Sequence, residues 1–215
     1  EVAGDTYLRR MDGLPFGPDP RRGFFEQGVF YHPELAFELH LPADWKRANE
    51  TSRVLALHPA EIAMVELRVA EGATAAEAAG SFAAKQGIAV TARDRARPHG
   101  LTAERVDFAV ARSQGGSLPG RAHFVEHGGK VFAIYGLATP ERWREVAGAI
   151  DATLASFAPL RDAARLAARP QEIELVELPE AMSFDEFLAR YPSTAPAATV
   201  ALVNGVEDRS RALAA

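Results

Sequence analysis

The sequence predicts an α+β domain in which helices pack on an antiparallel sheet, followed by a small α/β C-terminal module. Two apolar runs, 121–126 and 131–136, meet at Gly128-Gly129, a dipeptide that can supply the positive φ angles of a two-residue hairpin turn. After Thr139-Pro140, apolar residues recur at helical spacing as far as Phe157. Strands and helices follow one another with short connections, which favours an antiparallel sheet over alternating βαβ units.

The predicted hairpin turn also sets the pairing of its two strands. The facing pairs are Val125 with Phe132 and His123 with Ile134 on one side, and Phe124 with Ala133 and Ala122 with Tyr135 on the other. Both sides are largely apolar. We therefore expect this hairpin to lie inside the sheet, covered on both faces.

The remaining elements are assigned from periodicity, caps and chain breakers. Residues 1–30 are expected to form an irregular docking arm or linker, 31–160 the main α+β domain, and 161–215 a linker helix with a small module. In the main domain we expect strands at 37–41, 54–57, 62–69, 88–91 and 104–111, and a helix that begins at the capping box 74–77. In the last part we expect a helix at 161–169, a strand at 173–178, a helix from the capping box 183–186 and a helix at 199–203.

Composition limits the classes of function. The 215 residues are 47% hydrophobic and 25% charged, with a net charge of −5, which is typical of an ordinary globular protein. This mild acidity argues against a nucleic-acid-binding or anionic-membrane surface. The chain contains no cysteine, which excludes disulfides, thiol nucleophiles and thiolate metal sites. No apolar run is long enough for a membrane helix, so we expect no membrane insertion by this chain.

No catalytic, cofactor-binding or metal-binding motif is found, so we assign no residue to those roles. His123 and His127 are four residues apart, but a zinc site needs three or four converging ligands, and we interpret both as structural or surface histidines. His32 and His58 precede prolines and are interpreted as turn residues. The acidic pairs Glu61/Glu66 and Asp185/Glu186 are assigned to solvated faces and helix starts, Ser52 and Ser183 to no nucleophilic role, and 113–117 to a hairpin loop without phosphate-loop spacing.

One basic segment remains as a candidate partner-binding site. Arg93, Arg95 and Arg97, followed by His99, form a locally basic strand edge. Such charges can serve as a solvated edge that discourages strand pairing, or as a patch that binds a protein partner. The sequence leaves both interpretations open.

Several segments resemble a known family. The segments 7–17, 32–37, 41–45 and 128–132 are similar to the region that follows the catalytic domain in bacterial BepA-like, Ste-type, zinc-dependent envelope metallopeptidases. Residues 175–204, with 191–196 and 202–205, resemble a degenerate LysM-like tail, although 180–183 replaces its usual Gly-Asp-Thr turn and the chain stops before its second strand. The order of elements in the main domain is also similar to PsbP-like α/β/α sandwiches.

The resemblance implies a non-catalytic C-terminal region, because the family's His-Glu-x-x-His motif does not occur in this sequence. Zinc is then expected in a missing N-terminal catalytic domain, and this chain is expected not to be an enzyme by itself. The first hypothesis is an accessory domain that positions envelope proteins for a tethered peptidase in the periplasm or another extracytoplasmic space. The alternative is a stand-alone PsbP-like binding module with no peptidase attached, and a third, weaker one is a hydrolase whose site is assembled from scattered residues.

Overall fold

The computed structural model describes residues 9–113, 115–206 and 213 of the chain. It divides into two compact units, one formed by 20–169 and the other by 1–19 together with 170–215. Residues 20–30, which the sequence analysis assigned to the arm, therefore lie in the same unit as the large sheet. Among the described residues, no helix is long and apolar enough to cross a membrane.

The strands, in chain order, are β1 (Pro15–Phe16), β2 (Phe24–Glu26), β3 (Val29–His32), β4 (Phe37–His40), β5 (Lys46–Asn49), β6 (Val54–Leu57), β7 (Ala63–Ala70), β8 (Ile88–Ala96), β9 (Ala103–Ala111), β10 (Ser117–His127), β11 (Lys130–Ala138), β12 (Ala158–Pro159) and β13 (Gln171–Glu172). The helices are α1 (Ala75–Ala83), α2 (Trp143–Ala155), α3 (Ala163–Leu166), α4 (Phe184–Arg190) and α5 (Ala197–Val203). Short 3₁₀ turns occupy Pro20–Arg22, Pro98–Gly100 and Pro140–Arg142.

A seven-stranded antiparallel sheet in the order β5-β6-β7-β11-β10-β9-β8 forms the centre of the larger unit. The predicted hairpin is β10–β11, and all four predicted facing pairs are present in its register. Gly128 and Gly129 both have positive φ angles, 57° and 74°, as a tight turn requires. The predicted α+β fold class and the interior position of this hairpin are confirmed.

Each face of the sheet carries its own hydrophobic core. On one face, α1 packs its alanine face and Phe82 against Phe124, Val131 and Ala133. On the other, α2 packs with Val125, Phe132 and Ile134 and with residues of a second sheet. Because alternate residues of β10 and β11 point to opposite faces, the same hairpin supplies both cores.

The two main helices begin close to the predicted positions but differ in detail. The Oγ1 atom of Thr74 accepts a hydrogen bond from the Glu77 amide at 3.2 Å, while the Glu77 carboxylate accepts from the Ala73 amide. The predicted helix after Thr139 opens with a 3₁₀ turn and ends at Ala155. Phe157 lies beyond the helix yet is fully buried, because the chain turns there into β12.

A second, four-stranded sheet has the order β12-β4-β3-β2. The expectation that 1–30 is irregular is therefore wrong for β2 and β3, where Phe30 is fully buried. The Gly and Pro residues of this segment mark the turns between short strands rather than a region without strands. β5 is a strand that the sequence does not predict: its Lys-Arg-Ala-Asn sequence has no apolar alternation, because β5 is an edge strand with mostly exposed side chains.

In the smaller unit, β1 pairs with β13 in an antiparallel ladder of two residues. The predicted strand at 173–178 is wrong: the strand is Gln171–Glu172, and Ile173 makes two backbone hydrogen bonds, to Gly13 and Leu14. The predicted capping box at α4 is present in both directions between Ser183 and Glu186. The predicted helix at 199–203 corresponds to α5, whereas the one at 161–169 shortens to the single turn α3 in the larger unit.

Candidate functional site

The basic segment lies on β8, at one edge of the seven-stranded sheet. Arg93 and Arg95 point to the α1 side of the sheet, where they stand opposite Val106 and Glu104, whereas Arg97 follows the end of the strand. Arg93 donates a 2.9 Å hydrogen bond to the Glu104 carboxylate and another to the carbonyl oxygen of Ala76 in α1. The Arg93 guanidinium is thus already hydrogen-bonded within the domain.

Arg95 and Arg97 are exposed to solvent. The backbone of β8 carries a register shift between Val90 and Ala92, and Asp94 lies between the arginines. Bulges and alternating charges on an exposed strand oppose unwanted edge-to-edge pairing. The strand therefore has the features of a protected sheet edge, and the side chains of Arg95, near its end, and Arg97, just beyond it, are accessible from solvent.

The histidines take part in local backbone contacts. His123 is 9% exposed, and its Nδ1 donates to the carbonyl oxygen of Leu154 at 3.1 Å, while Nε2 of His127 lies 2.9 Å from the carbonyl oxygen of Ala36. Nδ1 of His32 accepts from the Leu35 amide, and Nδ1 of His58 accepts from the Ala60 amide. In the described part of the chain, no three metal-ligating side chains come together.

Burial also affects the protonation of two histidines. Desolvation lowers the pKa of His123 below its ordinary value of 6.5, and the nearby Arg105 contributes in the same direction, against the Leu154 carbonyl. Desolvation likewise lowers the pKa of His32. Both imidazoles are therefore held in the neutral form at pH 7.

Glu66 is buried, so its assignment to a solvated face is wrong. The residue is only 4% exposed, because Tyr135 of β11 stands directly opposite it and two arginines cover it. Its carboxylate lies 3.5 Å from Nη1 of Arg53 and 3.6 Å from Nη1 of Arg68. Burial, together with a hydrogen bond to Glu66, raises the pKa of the Tyr135 hydroxyl.

Arg68, which forms an ion pair with Glu66, also lines a cavity beside α1. The cavity has a volume of about 180 Å³ and lies between the C-terminal half of α1 and the end of β7. It is lined by Arg68, Val69, Ala70, Glu71, Ala78, Ser81, Phe82, Lys85, Phe124 and Ala133. The sequence signals available for it were the small residues of α1 and the alternation of Met64, Glu66 and Arg68 along one strand face.

Another polar cluster lies on the face of the sheet opposite α1, where Arg121 of β10 connects the sheet to α2. Its Nε donates to the Asp107 carboxylate at 2.6 Å, and its Nη1 donates to the carboxylate of Asp151 in α2. The guanidinium also lies 5.8 Å from the centre of the Trp143 ring. Burial acts against the ionised form of Asp107, but the hydrogen bonds from Arg121 and Arg105 outweigh it and hold the pKa of this carboxyl below its usual value. The charged groups of this cluster pair with one another, which is typical of an ion-pair network with a structural role.

Comparison with known proteins identifies the fold. The solution structure of cyanobacterial PsbP (CyanoP) from Synechocystis sp. PCC 6803 is similar, with 14% sequence identity and a TM-score of 0.50 over 63% of this chain and 94% of that chain. The chain therefore has a PsbP-like fold. LpqN of Mycobacterium tuberculosis, described as involved in cell envelope biogenesis, matches with 16% identity and a TM-score of 0.41 over 58% of this chain and 83% of that chain.

No protein-family model matches the chain, and no curated protein sequence matches it significantly. The resemblance to the metallopeptidase region and to a LysM-like tail stays a prediction.

Proposed function

We propose that this chain is a non-catalytic accessory domain that positions protein substrates or partners for a tethered zinc metallopeptidase of the bacterial envelope. The observation that carries the proposal is the exposed basic segment at the end of the edge strand β8, where Arg95 and, just beyond the strand, Arg97 are exposed. An acidic segment of a protein partner would complement these charges. Zinc and proteolysis would belong to the catalytic domain, and this domain would act in the periplasm or another extracytoplasmic compartment.

Arg93 would contribute less to such binding than its neighbours. Its guanidinium already has the Glu104 carboxylate and the Ala76 carbonyl as acceptors. A test of binding is therefore cleaner at Arg95 and Arg97, because their replacement leaves the contact between β8 and α1 intact.

The test is removal of both charges, Arg95→Gln with Arg97→Gln, in the full-length peptidase; a neutral side chain avoids placing a carboxylate opposite Glu104. We expect cleavage of protein substrates to slow several-fold, while cleavage of a short peptide that needs no positioning stays unchanged. A matched control, Lys130→Gln with Arg144→Gln, makes the same change in net charge at exposed positions away from β8. If the β8 variant and the control cleave proteins equally well, β8 is not the positioning surface.

Deletion of the whole chain from the peptidase tests the broader proposal. We expect substrate choice or localisation to change, and unchanged substrate choice and localisation would exclude an accessory role. Loss of retention on peptidoglycan when the chain is deleted would indicate glycan binding by the LysM-like tail, and equal retention of the intact and the deleted peptidase would exclude it.

A stand-alone PsbP-like binding module is the second candidate. It is favoured by the match that spans 94% of CyanoP, and by the continuity in sequence of the unit 20–169. The reading frame upstream of Glu1 separates the two candidates. A His-Glu-x-x-His helix there supports the tethered domain, whereas a signal peptide alone supports the independent module.

A further inference from the structure

The cavity beside α1 has an apolar floor that is formed by small and aromatic side chains. Four apolar residues line it: Ala78 and Phe82 of α1, Phe124 of β10 and Ala133 of β11. All four are buried. A cavity of about 150 Å³ with apolar walls holds a molecule the size of benzene. The volume of about 180 Å³ is therefore suited to one large apolar side chain.

The mouth of the cavity is polar and carries more positive than negative charge. Arg68 and Lys85 lie at the rim, with Glu71 as the acidic residue and Ser81 as a hydroxyl. The ion pair from Arg68 to the Glu66 carboxylate is 3.6 Å long, beyond hydrogen-bond distance. The Arg68 guanidinium has five N–H donors, and the face of the Tyr135 ring, 5.4 Å away, orients it.

The buried carboxylate of Glu66 keeps an ion-pair partner when an anion binds at the rim. Its carboxylate lies near Arg53 as well as Arg68, so Glu66 does not need Arg68 alone to offset its charge. An incoming anion at the rim would thus meet Arg68 and Lys85 without leaving Glu66 unpaired. Loss of a buried carboxylate's partner would otherwise oppose binding.

We propose that this cavity binds the C-terminal residue of a protein chain, with an apolar side chain against the cavity floor and the terminal carboxylate at Arg68 and Lys85. The ligand must place an apolar group and a carboxylate on one residue, which a chain terminus does and an aspartate or glutamate does not. A long acyl chain exceeds the volume of the cavity. This inference names the class of partner for the proposed positioning function and rests on that function for its biological role.

The experiment measures fluorescence anisotropy of the labelled peptide Gly-Ser-Gly-Ser-Leu, with a free C-terminal carboxylate, against the 215-residue chain. The same peptide with a C-terminal amide is the matched probe. We expect saturable binding of the free acid, and roughly tenfold weaker binding of the amide, since the amide lacks the charge that Arg68 and Lys85 would meet.

Two variants test the position of the site. Lys85→Gln removes one cation from the rim, and Ser81→Leu narrows the mouth; Ser81 lies on α1 and Lys85 just after it, and both are exposed, so their replacement leaves the core unchanged. We expect each to weaken binding of the free acid by about tenfold. The control Lys46→Gln replaces an exposed lysine of β5, away from the cavity, and should bind like the unmodified chain.

Three results would overturn the inference. They are equal binding of the acid and the amide, absence of saturable binding by the free acid at about 1 mM protein, and displacement of the peptide by octanoate with equal affinity. The last would identify a site for small hydrophobic carboxylates instead of chain termini. Because these measurements use the chain without a peptidase and leave β8 unchanged, their failure is distinguishable from failure of the proposed positioning function.

Discussion

At the scale of single residues, Gly136 reports how closely α2 approaches the sheet. A Cβ atom added at Gly136 would lie 2.4 Å from Cγ2 of Ile150, a fully buried residue of α2. We expect Gly136→Ala to lower the free energy of unfolding by about 1–3 kcal/mol, the usual cost of forcing extra volume into a packed core. Urea denaturation measures this change.

Gly148 provides the matched control for that substitution. Gly148 lies in α2, the helix that contains Ile150, and a Cβ atom there would meet nothing within 4 Å. Gly148→Ala should raise the free energy of unfolding by up to about 1 kcal/mol, because alanine has the higher helix propensity. If Gly136→Ala were as well tolerated as Gly148→Ala, the close contact between α2 and β11 would be contradicted.

His123 should make stability depend on pH. Its pKa is lowered in the folded state, so the unfolded chain binds the proton more readily, and stability falls as the pH drops through the ordinary value of 6.5. We expect the urea midpoint to decrease between about pH 7.5 and about pH 5.5. The contribution of Asp107, whose pKa is lowered from 3.8, is lost only at more acidic pH.

The variant His123→Gln isolates this contribution from that of His32, which changes in the same direction. Its urea midpoint should depend less on pH than that of the unmodified chain. The pKa of the His123 imidazole can be measured by NMR. An unshifted value of about 6.5 would show that this side chain is not buried.

At the scale of elements, the N-terminus of α1 is held by side chains from two parts of the chain. Thr74 accepts a hydrogen bond from the Glu77 amide, and the carboxylate of Glu126 in β10 accepts one from the Ala75 amide at 2.7 Å. We expect Thr74→Ala to lower the free energy of unfolding by about 1 kcal/mol through loss of the N-cap. Thermal or urea denaturation measures the change.

Thr51→Ala is the control for the N-cap prediction, because Thr51 is exposed in a turn outside any helix or strand. It should change stability by less than about 0.5 kcal/mol. If both variants have the same stability, Thr74 does not act as a cap, and the Glu126 carboxylate alone accounts for the start of α1.

At the scale of the whole molecule, the larger unit is continuous in sequence and the smaller one is not. The smaller unit joins both ends of the chain through β1 and β13, with a hydrogen bond from the Ile173 amide to the Leu14 carbonyl. We expect the fragment 20–169 to unfold cooperatively by itself, since it contains both cores. Calorimetry of that fragment is the measurement.

Removal of 1–19 should affect the smaller unit selectively. The Ile173 amide would lose its acceptor, so its protection from hydrogen exchange should disappear, while amides of β10 and β11 stay protected. Loss of protection throughout the sheet would show that the larger unit depends on the first nineteen residues.

The sequence alone determined the central hairpin, its register and the two helices on its faces. These elements follow from local signals: two glycines that permit a tight turn, two apolar runs that flank it, a capping box at the start of α1 and apolar residues at helical spacing in α2. Strands β2, β3 and β5 were missed: β2 and β3 are short apolar strands in a segment whose Gly and Pro residues indicate turns, and β5 is an exposed edge strand without an apolar pattern. The resemblance to PsbP-like folds correctly predicted the fold class.

Only the tertiary structure decided which charged side chains are buried or hydrogen-bonded and which are free in solvent. Glu66 and Arg93 both look like solvent-facing residues in the sequence. The first is enclosed by Tyr135, Arg53 and Arg68, and the second is bonded to Glu104 and the α1 backbone. Their environments are supplied by residues distant in the chain, and burial and charge pairing are properties of that assembled environment rather than of a local motif.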